Sequence, residues 1–210
     1  MMLTEATSVL LIGAHADDIE IGCGGTLLRL LGSRRDVSVH WHVFSAPGGR
    51  RREARSSAKE FLGTTRRARI VVDRFRESYF PDQWSAIKQA LEAVRQQFEP
   101  DLVFTHWRED RHQDHRVLSD LTWNTFRSHT ILEYEIPKYD GDLGNPNVYV
   151  ALEEAVCRRK VSALLRHFRS QTTKHWFTDD TFFALLRLRG LECGPGARFA
   201  EAFYGRKIVA

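Results

Sequence analysis

Cysteine is scarce in this 210-residue chain. The three present, Cys23, Cys157 and Cys193, lie far apart and form no CxxC pair. That spacing excludes a disulfide framework and a structural zinc ribbon, and it fits a reducing compartment. No run comes near the ~18–20 apolar residues that cross a bilayer. The opening Met-Met-Leu-Thr-Glu-Ala-Thr lacks the basic start and long apolar stretch of a signal peptide. A cytoplasmic protein without membrane insertion is the expectation. Strong charge is missing as well, since 31 basic and 27 acidic residues leave only +4. So mild a balance calls for no nucleic acid partner and is compatible with an anionic small molecule. Repeats, linkers and low-complexity segments are absent too. One domain over residues 1–210 is the simplest organisation, large enough for a core without disulfides. A homo-oligomer is neither required nor excluded.

What the chain does have is a polar stretch at the end of an apolar run. Ser8 to Ala14 is short, partly β-branched and reads as a buried strand. His15-Ala-Asp-Asp-Ile-Glu-Ile-Gly-Cys-Gly-Gly-Thr26 follows directly, and Leu27, Leu28, Leu30 and Leu31 then suggest a helix face. In open α/β sheets, ligands bind beyond the carboxyl ends of the strands. Charged groups at such a strand end are costly unless paired, and a metal ion is the simplest partner.

Further along, strands and helices alternate. Asp36 to Ser45 and Ala68 to Val72 read as strands, and Arg50 to Gly63 as an Arg-rich helix capped by Gly63. Trp84, Ile87, Leu91, Val94 and Phe98 keep helical spacing. Leu102 to His106 is a strand that runs into a second polar cluster, Trp107-Arg-Glu-Asp-Arg-His112-Gln-Asp114-His115-Arg116, and then into a helix. Thr130 to Ile136 and Val148 to Leu152 are strand candidates on either side of a loop, Pro137 to Asn147. Helices over Glu153 to Arg169 and Asp179 to Leu191, and a strand over Arg198 to Ile208, complete the chain. This alternation argues for an α/β fold, a three-layer Rossmann-like sandwich with a largely parallel sheet.

Both polar clusters start where a central strand stops. If those strands are neighbours, His15, Asp17, Asp18, His112, Asp114 and His115 converge. Two His and one carboxylate with an open position are the ligands of a catalytic zinc site. Zinc lowers the pKa of bound water towards ~7, and the remaining carboxylate and His would act as base and as electrophile or acid.

Ala14-His15-Ala16-Asp17-Asp18-Ile19-Glu20-Ile21-Gly22-Cys23-Gly24-Gly25-Thr26 resembles the signature of LmbE-like (PIG-L) metal-dependent N-deacetylases. Asp110-Arg-His112-Gln-Asp114-His115-Arg116 resembles that family's second signature, and the helix around Arg51, Glu53 and Leu62-Gly63 resembles a weaker third motif. The likeness spans roughly residues 8 to 136. It implies that His15, Asp18 and His115 hold Zn2+, with Fe2+ or cobalt also admitted by such a donor set. It implies Asp17 as the base that deprotonates the metal-bound water. His112 would polarise the acetyl carbonyl or stabilise the oxyanion and could later protonate the leaving amine, and Asp114 would orient His112 and raise its pKa. Ala16 stands where the family usually has proline, a change that loosens the turn and deletes no ligand.

Blander readings compete at several positions. A dinucleotide loop is disfavoured because Gly22-Cys-Gly-Gly lacks GxGxxG spacing and adjoins three acids. Glu20 fits either a partner of a metal ligand or a helix-dipole cap. His106 follows a strand and fits either the site or a structural role. Cys23 reads as a small packed residue, and His40 and His42, alternating along a strand, read as structural. The arginines from Arg50 to Arg55 read mostly as a solvated helix face, although Arg51 suits a substrate hydroxyl or phosphate. Tyr134 and Lys138, near the Pro137 to Asn147 loop, are the other candidate substrate contacts.

The expected function is a zinc-dependent hydrolase removing acetyl from an N-acetylated amino sugar or its conjugate, with a small-molecule N-acetylglucosamine-type substrate. A metal-dependent phosphoesterase and a non-catalytic metal- or sugar-binding module are the alternatives.

Overall fold

The computed structural model describes residues 5–34, 36–65 and 67–207. The sequence expectations for the first four residues and for Ile208 lie outside the described residues. Strand β1 (Ser8–Gly13) runs into helix α1 (Asp18–Ser33), β2 (Ser38–Val43) into α2 (Arg50–Leu62), and β3 (Arg67–Val72) into α3 (Trp84–Gln97). Strand β4 (Leu102–His106) leads to α4 (Gln113–Thr125) and β5 (Thr130–Tyr134). Strand β6 (Val148–Leu152), helices α5 (Glu154–His167) and α6 (Asp179–Cys193), and strand β7 (Phe199–Lys207) follow.

The seven strands form one sheet in the order β3-β2-β1-β4-β5-β7-β6. The first five are mutually parallel, and only β7 runs against its neighbours. The largely parallel sheet expected from the alternation is therefore present. Its two sides follow from the period-2 pleat of β1. Val9 and Leu11 join the core under α1, α2, α5 and α6, whereas Leu10 and Ile12 join Ile87, Leu91 and Leu118 under α3 and α4. With both faces covered, β1 reads as an uninterrupted apolar run, as buried parallel strands do.

The chain winds outwards from β1 through β2 to β3, then returns to the other side of β1 as β4 and continues to β5. The direction of winding thus reverses between β1 and β4. Paired strands there, with Leu10 opposite Val103, set the two following loops side by side at one crevice. That is where His15 and His115 emerge.

The glycines of the first motif serve packing within α1. A Cβ at Gly22 would fall 2.1 Å from the Tyr134 ring. At Gly25 it would fall 2.5 Å from Leu152 and 2.9 Å from the Glu201 carboxylate. Glu201 reaches this close because it accepts from the backbone N–H groups of Gly25 and Thr26 at 2.7 and 2.6 Å. Lys160 pairs with Glu201 at 2.6 Å and donates to the Ile21 carbonyl at the same distance. A buried ion pair from the C-terminal third is thereby threaded into the hydrogen-bond ladder of α1.

Candidate metal centre

His15 and Asp17 stand in the turn between β1 and α1, and Asp18 is the first residue of α1. The His15 N–H donates to Asp18 Oδ2 at 2.6 Å, which folds that carboxylate back over the strand end. From the neighbouring strand, His112 caps the N-terminus of α4 and His115 lies one turn inside it. Asp18, His15 and His115 are all buried.

Three donor atoms face one another. His15 Nδ1 is 3.3 Å from Asp18 Oδ2 and 3.2 Å from His115 Nε2, and the latter is 3.6 Å from Asp18 Oδ2. Zinc–ligand bonds of about 2.0–2.1 Å in a tetrahedral arrangement require donors about 3.3–3.4 Å apart. Behind each imidazole a carboxylate holds the other ring nitrogen. Asp114 Oδ2 lies 3.1 Å from His15 Nε2, and Asp110 Oδ2 lies 2.9 Å from His115 Nδ1. Paired support of this kind is the usual setting of metal-ligating histidines. The residues present therefore fit a divalent ion.

The electrostatics agree with that fit. Although burial opposes ionisation, His115, His15 and His106 hold Asp18 well below the usual carboxylate range. Against the cost of burial, Asp18 and the Asp114 hydrogen bond push His15 up to about 10. Burial and the neighbouring His106 bring His115 down to about 3. The two shifts run in opposite directions across a 3.2 Å N···N contact, so a charge on one imidazole disfavours a charge on the other.

Two further groupings of donors overlap this one. His112 is within reach of His15 and His115, and His106 is within reach of Asp18 and His115. His112 is half-buried, and its Nδ1 accepts the Asp114 backbone N–H at 3.2 Å. With Nδ1 accepting, the ring proton of the neutral form sits on Nε2 and is free to donate. Burial and the His15 charge lower its pKa and favour that neutral form. His106, the last residue of β4, is fully buried, stacks on His115 at 3.9 Å, and accepts the Ala14 N–H at 2.9 Å. That hydrogen bond makes His106 the wall of the site.

Asp17 lies beside the triangle and faces α2. Its Oδ1 accepts from Arg50 Nη2 at 2.6 Å, and Arg50 Nη1 reaches Glu77 at 3.5 Å. Burial raises the Asp17 pKa despite the Arg50 charge.

Several sequence expectations change here. The Asp114 carboxylate engages His15 and the backbone N–H groups of Ser78 and Phe80, at 2.6 and 3.1 Å for the last two. The hydrogen bond to His112 comes from the Asp114 backbone amide. Although the Asp114 charge raises the His112 pKa as expected, burial and His15 outweigh it and the net shift is downward. Tyr134 is no substrate contact, because it is fully buried and its hydroxyl donates to the Ile12 carbonyl at 2.6 Å. Lys138 is occupied by Asp110 at 3.1 Å and by Asp142, so it braces the carboxylate behind His115. Arg51 lies on the first turn of α2, where it lines a neighbouring cleft with Arg74 and Arg76 and makes no contact with the donor triangle. Glu20 is fully buried, and burial followed by Asp17 and Asp18 pushes its carboxyl well above the usual range. Arg50, read as part of a solvated face, is a site residue. So is Asp110, quoted in the second motif without a role; it sits in the loop before α4, where it accepts the His112 N–H at 2.7 Å and faces His115 Nδ1 at 2.9 Å.

Residues 10–126 match the family model for PIG-L, the GlcNAc-PI de-N-acetylases, over more than half of the chain. The chain belongs to the PIG-L family of deacetylases. A curated relative, the uncharacterised deacetylase YaiS of Escherichia coli K12, is 29% identical over 172 residues, covering 76% of this chain and 89% of that protein. Among solved structures, N,N'-diacetylchitobiose deacetylase of Pyrococcus horikoshii superposes with a TM-score of 0.73 at 22% identity. The match covers 96% of this chain and 84% of that one. GalB, the 4-carboxy-2-hydroxymuconate hydratase of Pseudomonas putida KT2440, has a TM-score of 0.72 at 15% identity, with 97% and 98% covered. The same fold is thus shared by proteins described as a deacetylase and as a hydratase, so the reaction has to be argued from the site. No helix among the described residues is long and apolar enough to cross a membrane.

Proposed function

We propose that this PIG-L protein is a zinc-dependent N-deacetylase acting on an N-acetylated amino sugar or its conjugate in the cytoplasm. His15, Asp18 and His115 would hold the ion, and iron(II) suits the same donors. The observation that carries the reading is the triangle of donors 3.2–3.6 Å apart with a buried carboxylate, Asp17, at its side. When bound, the ion supplies Lewis-acid polarisation of the amide carbonyl and acidifies water.

The chain's own residues supply the rest. Asp17, made more basic by burial, takes a proton from the attacking water. Arg50 balances its charge beforehand and fixes one carboxylate oxygen, Oδ1, at 2.6 Å. Neutral His112, its Nδ1 tied to the Asp114 amide, presents an Nε2–H donor to the carbonyl oxygen as negative charge grows there. The proton held by Asp17 then goes to the departing nitrogen, which leaves as the free amine, and acetate is the second product.

The test is metal content and acetate release on one preparation. About one zinc or iron per chain, absent from His15→Ala and His115→Ala, is expected for a single shared site. Metal-loaded protein should release acetate from at least one member of a panel of N-acetylglucosamine conjugates. Metal binding unaffected by either substitution, or no acetate from any conjugate, overturns the reading.

A further inference from the structure

The two imidazoles of the metal centre are supported unequally. Behind His15, the Asp114 carboxylate accepts the Ser78 N–H at 2.6 Å on Oδ2 and the Phe80 N–H at 3.1 Å on Oδ1. Those partners are neutral amides. Behind His115, the oxygen of Asp110 that faces Nδ1 at 2.9 Å also meets the Lys138 ammonium at 3.1 Å. The other oxygen of Asp110 accepts the His112 N–H at 2.7 Å. The guanidinium of Arg116 goes to the Asp110 backbone carbonyl at 3.0 Å, which leaves the carboxylate to Lys138. One candidate ligand is thus backed by a carboxylate on amides, the other by a carboxylate shared with a cation.

Lys138 divides its charge in turn. It also pairs with Asp142, whose Oδ2 accepts the Arg111 N–H at 2.8 Å. Both residues belong to the 137–147 loop between β5 and β6, so that loop grips the segment carrying the second motif at two successive residues, Asp110 and Arg111. No more than 9% of any of the three side chains is exposed, and solvent screens these charges weakly. A carboxylate on the outer nitrogen of a ligating imidazole raises its basicity. A cation on the same oxygen takes back part of that effect, because it draws on the charge that faces the Nδ1–H. Asp142, the competing carboxylate, sets how much of the cation Asp110 feels.

We propose that Lys138 is a positioning residue that tempers the donor strength of His115 through Asp110, with Asp142 limiting its pull. The inference rests on His115 as a metal ligand and requires no particular substrate.

Zinc affinity of the full chain, measured by competition with a chromogenic chelator, tests it. Lys138→Met frees Asp110 from the cation, and zinc affinity should rise about tenfold. Asp142→Asn leaves the whole ammonium to Asp110, and affinity should fall by about the same factor. A lysine that merely braced the loop would give losses in both. In Asp110→Asn, adding Lys138→Met should change nothing, because the carboxylate that transmits the effect is gone. Losses in both single variants, no change in either, or an effect of Lys138→Met that survives in Asp110→Asn overturns the proposal. Where Lys138→Met folds poorly with two acids left unpaired, Lys138→Met/Asp142→Asn keeps the net charge. It should raise zinc affinity in the same way, and a fall or no change there is equally fatal.

Proton NMR of the zinc-loaded proteins supplies a signature that bracing alone would not move. A carboxylate with more charge makes a stronger hydrogen bond to the His115 Nδ1–H. Its resonance should shift downfield in Lys138→Met and upfield in Asp142→Asn, and a resonance unmoved in both counts against the proposal. Zinc affinity indifferent to His115→Ala would remove the ligand itself and the inference with it. Absence of acetate release from every protein, wild type included, sinks the hydrolytic reading alone and leaves the affinity result standing.

Discussion

Asp114 and His15, 99 residues apart in sequence, meet at 3.1 Å between Oδ2 and Nε2. The same carboxylate accepts the N–H groups of Ser78 and Phe80, and Ser78 adopts a left-handed backbone, φ 66°, to deliver its amide. A strand end, a loop and the start of α4 are thus locked to one side chain. Asp114→Asn should lower metal affinity roughly 10–100-fold, the usual cost of losing the carboxylate behind a ligating imidazole. Competition with a chromogenic chelator measures this, and unchanged affinity would show that Asp114 serves the loop alone.

Asp17 touches Arg50 and stands outside the donor triangle. Asp17→Asn should therefore retain metal while acetate release falls about 10²–10⁴-fold, the typical share of a general base. Metal analysis and turnover on the same sample check the pair of outcomes. Loss of metal together with activity would make Asp17 a ligand.

The Glu201–Lys160 pair is buried, and each partner also satisfies backbone groups of α1. Removing one partner leaves the other charge uncompensated, so Glu201→Ala should cost about 3–5 kcal/mol. The double variant with Lys160→Met should lose less than the sum of the singles. Urea unfolding of the four proteins gives the coupling, and additive losses would mean that the pair does not act as a unit.

His40, buried between His42 and Phe98, has its Nε2 without a partner, and burial followed by His42 and Arg69 lowers its pKa to about 4. Unfolded, it titrates near about 6.5. Between those values the unfolded chain takes up a proton that the folded one refuses, so stability falls as pH drops from 6.5 towards 4. His40→Phe should remove about 1–2 kcal/mol from the loss of unfolding free energy between about pH 7 and 5. Denaturant midpoints at the two pH values decide it; parallel shifts in both proteins would assign the acid sensitivity elsewhere.

Much of this was legible in the chain. Apolar runs following Pro100 and Pro146 placed Leu102–His106 and Val148–Leu152 at their observed limits; the first is a buried parallel strand, which leaves little choice of residue. The two motifs announced the crevice because polar groups at strand ends need a common partner. What escaped were relationships that depend on strand order and side-chain direction. His106 ends a strand like any other until β4 is known to lie against β1. Helical periodicity marks Arg50 as surface, and only the approach of Asp17 and Glu77 draws it inwards. Tyr134 precedes a loop, yet its pleat position sends the ring beneath Gly22 of α1.

The carboxylate threaded into α1 also bears on where the chain can be cut. Residues 10–126 carry every candidate ligand, but Glu201, which holds the middle of the ligand-bearing helix, arrives with the last strand. A fragment ending near Phe126 would leave Gly25 and Thr26 without that acceptor and one edge of β4 bare. The motif-bearing half is an incomplete folding unit, and α1 depends on the final strand to complete its hydrogen bonding.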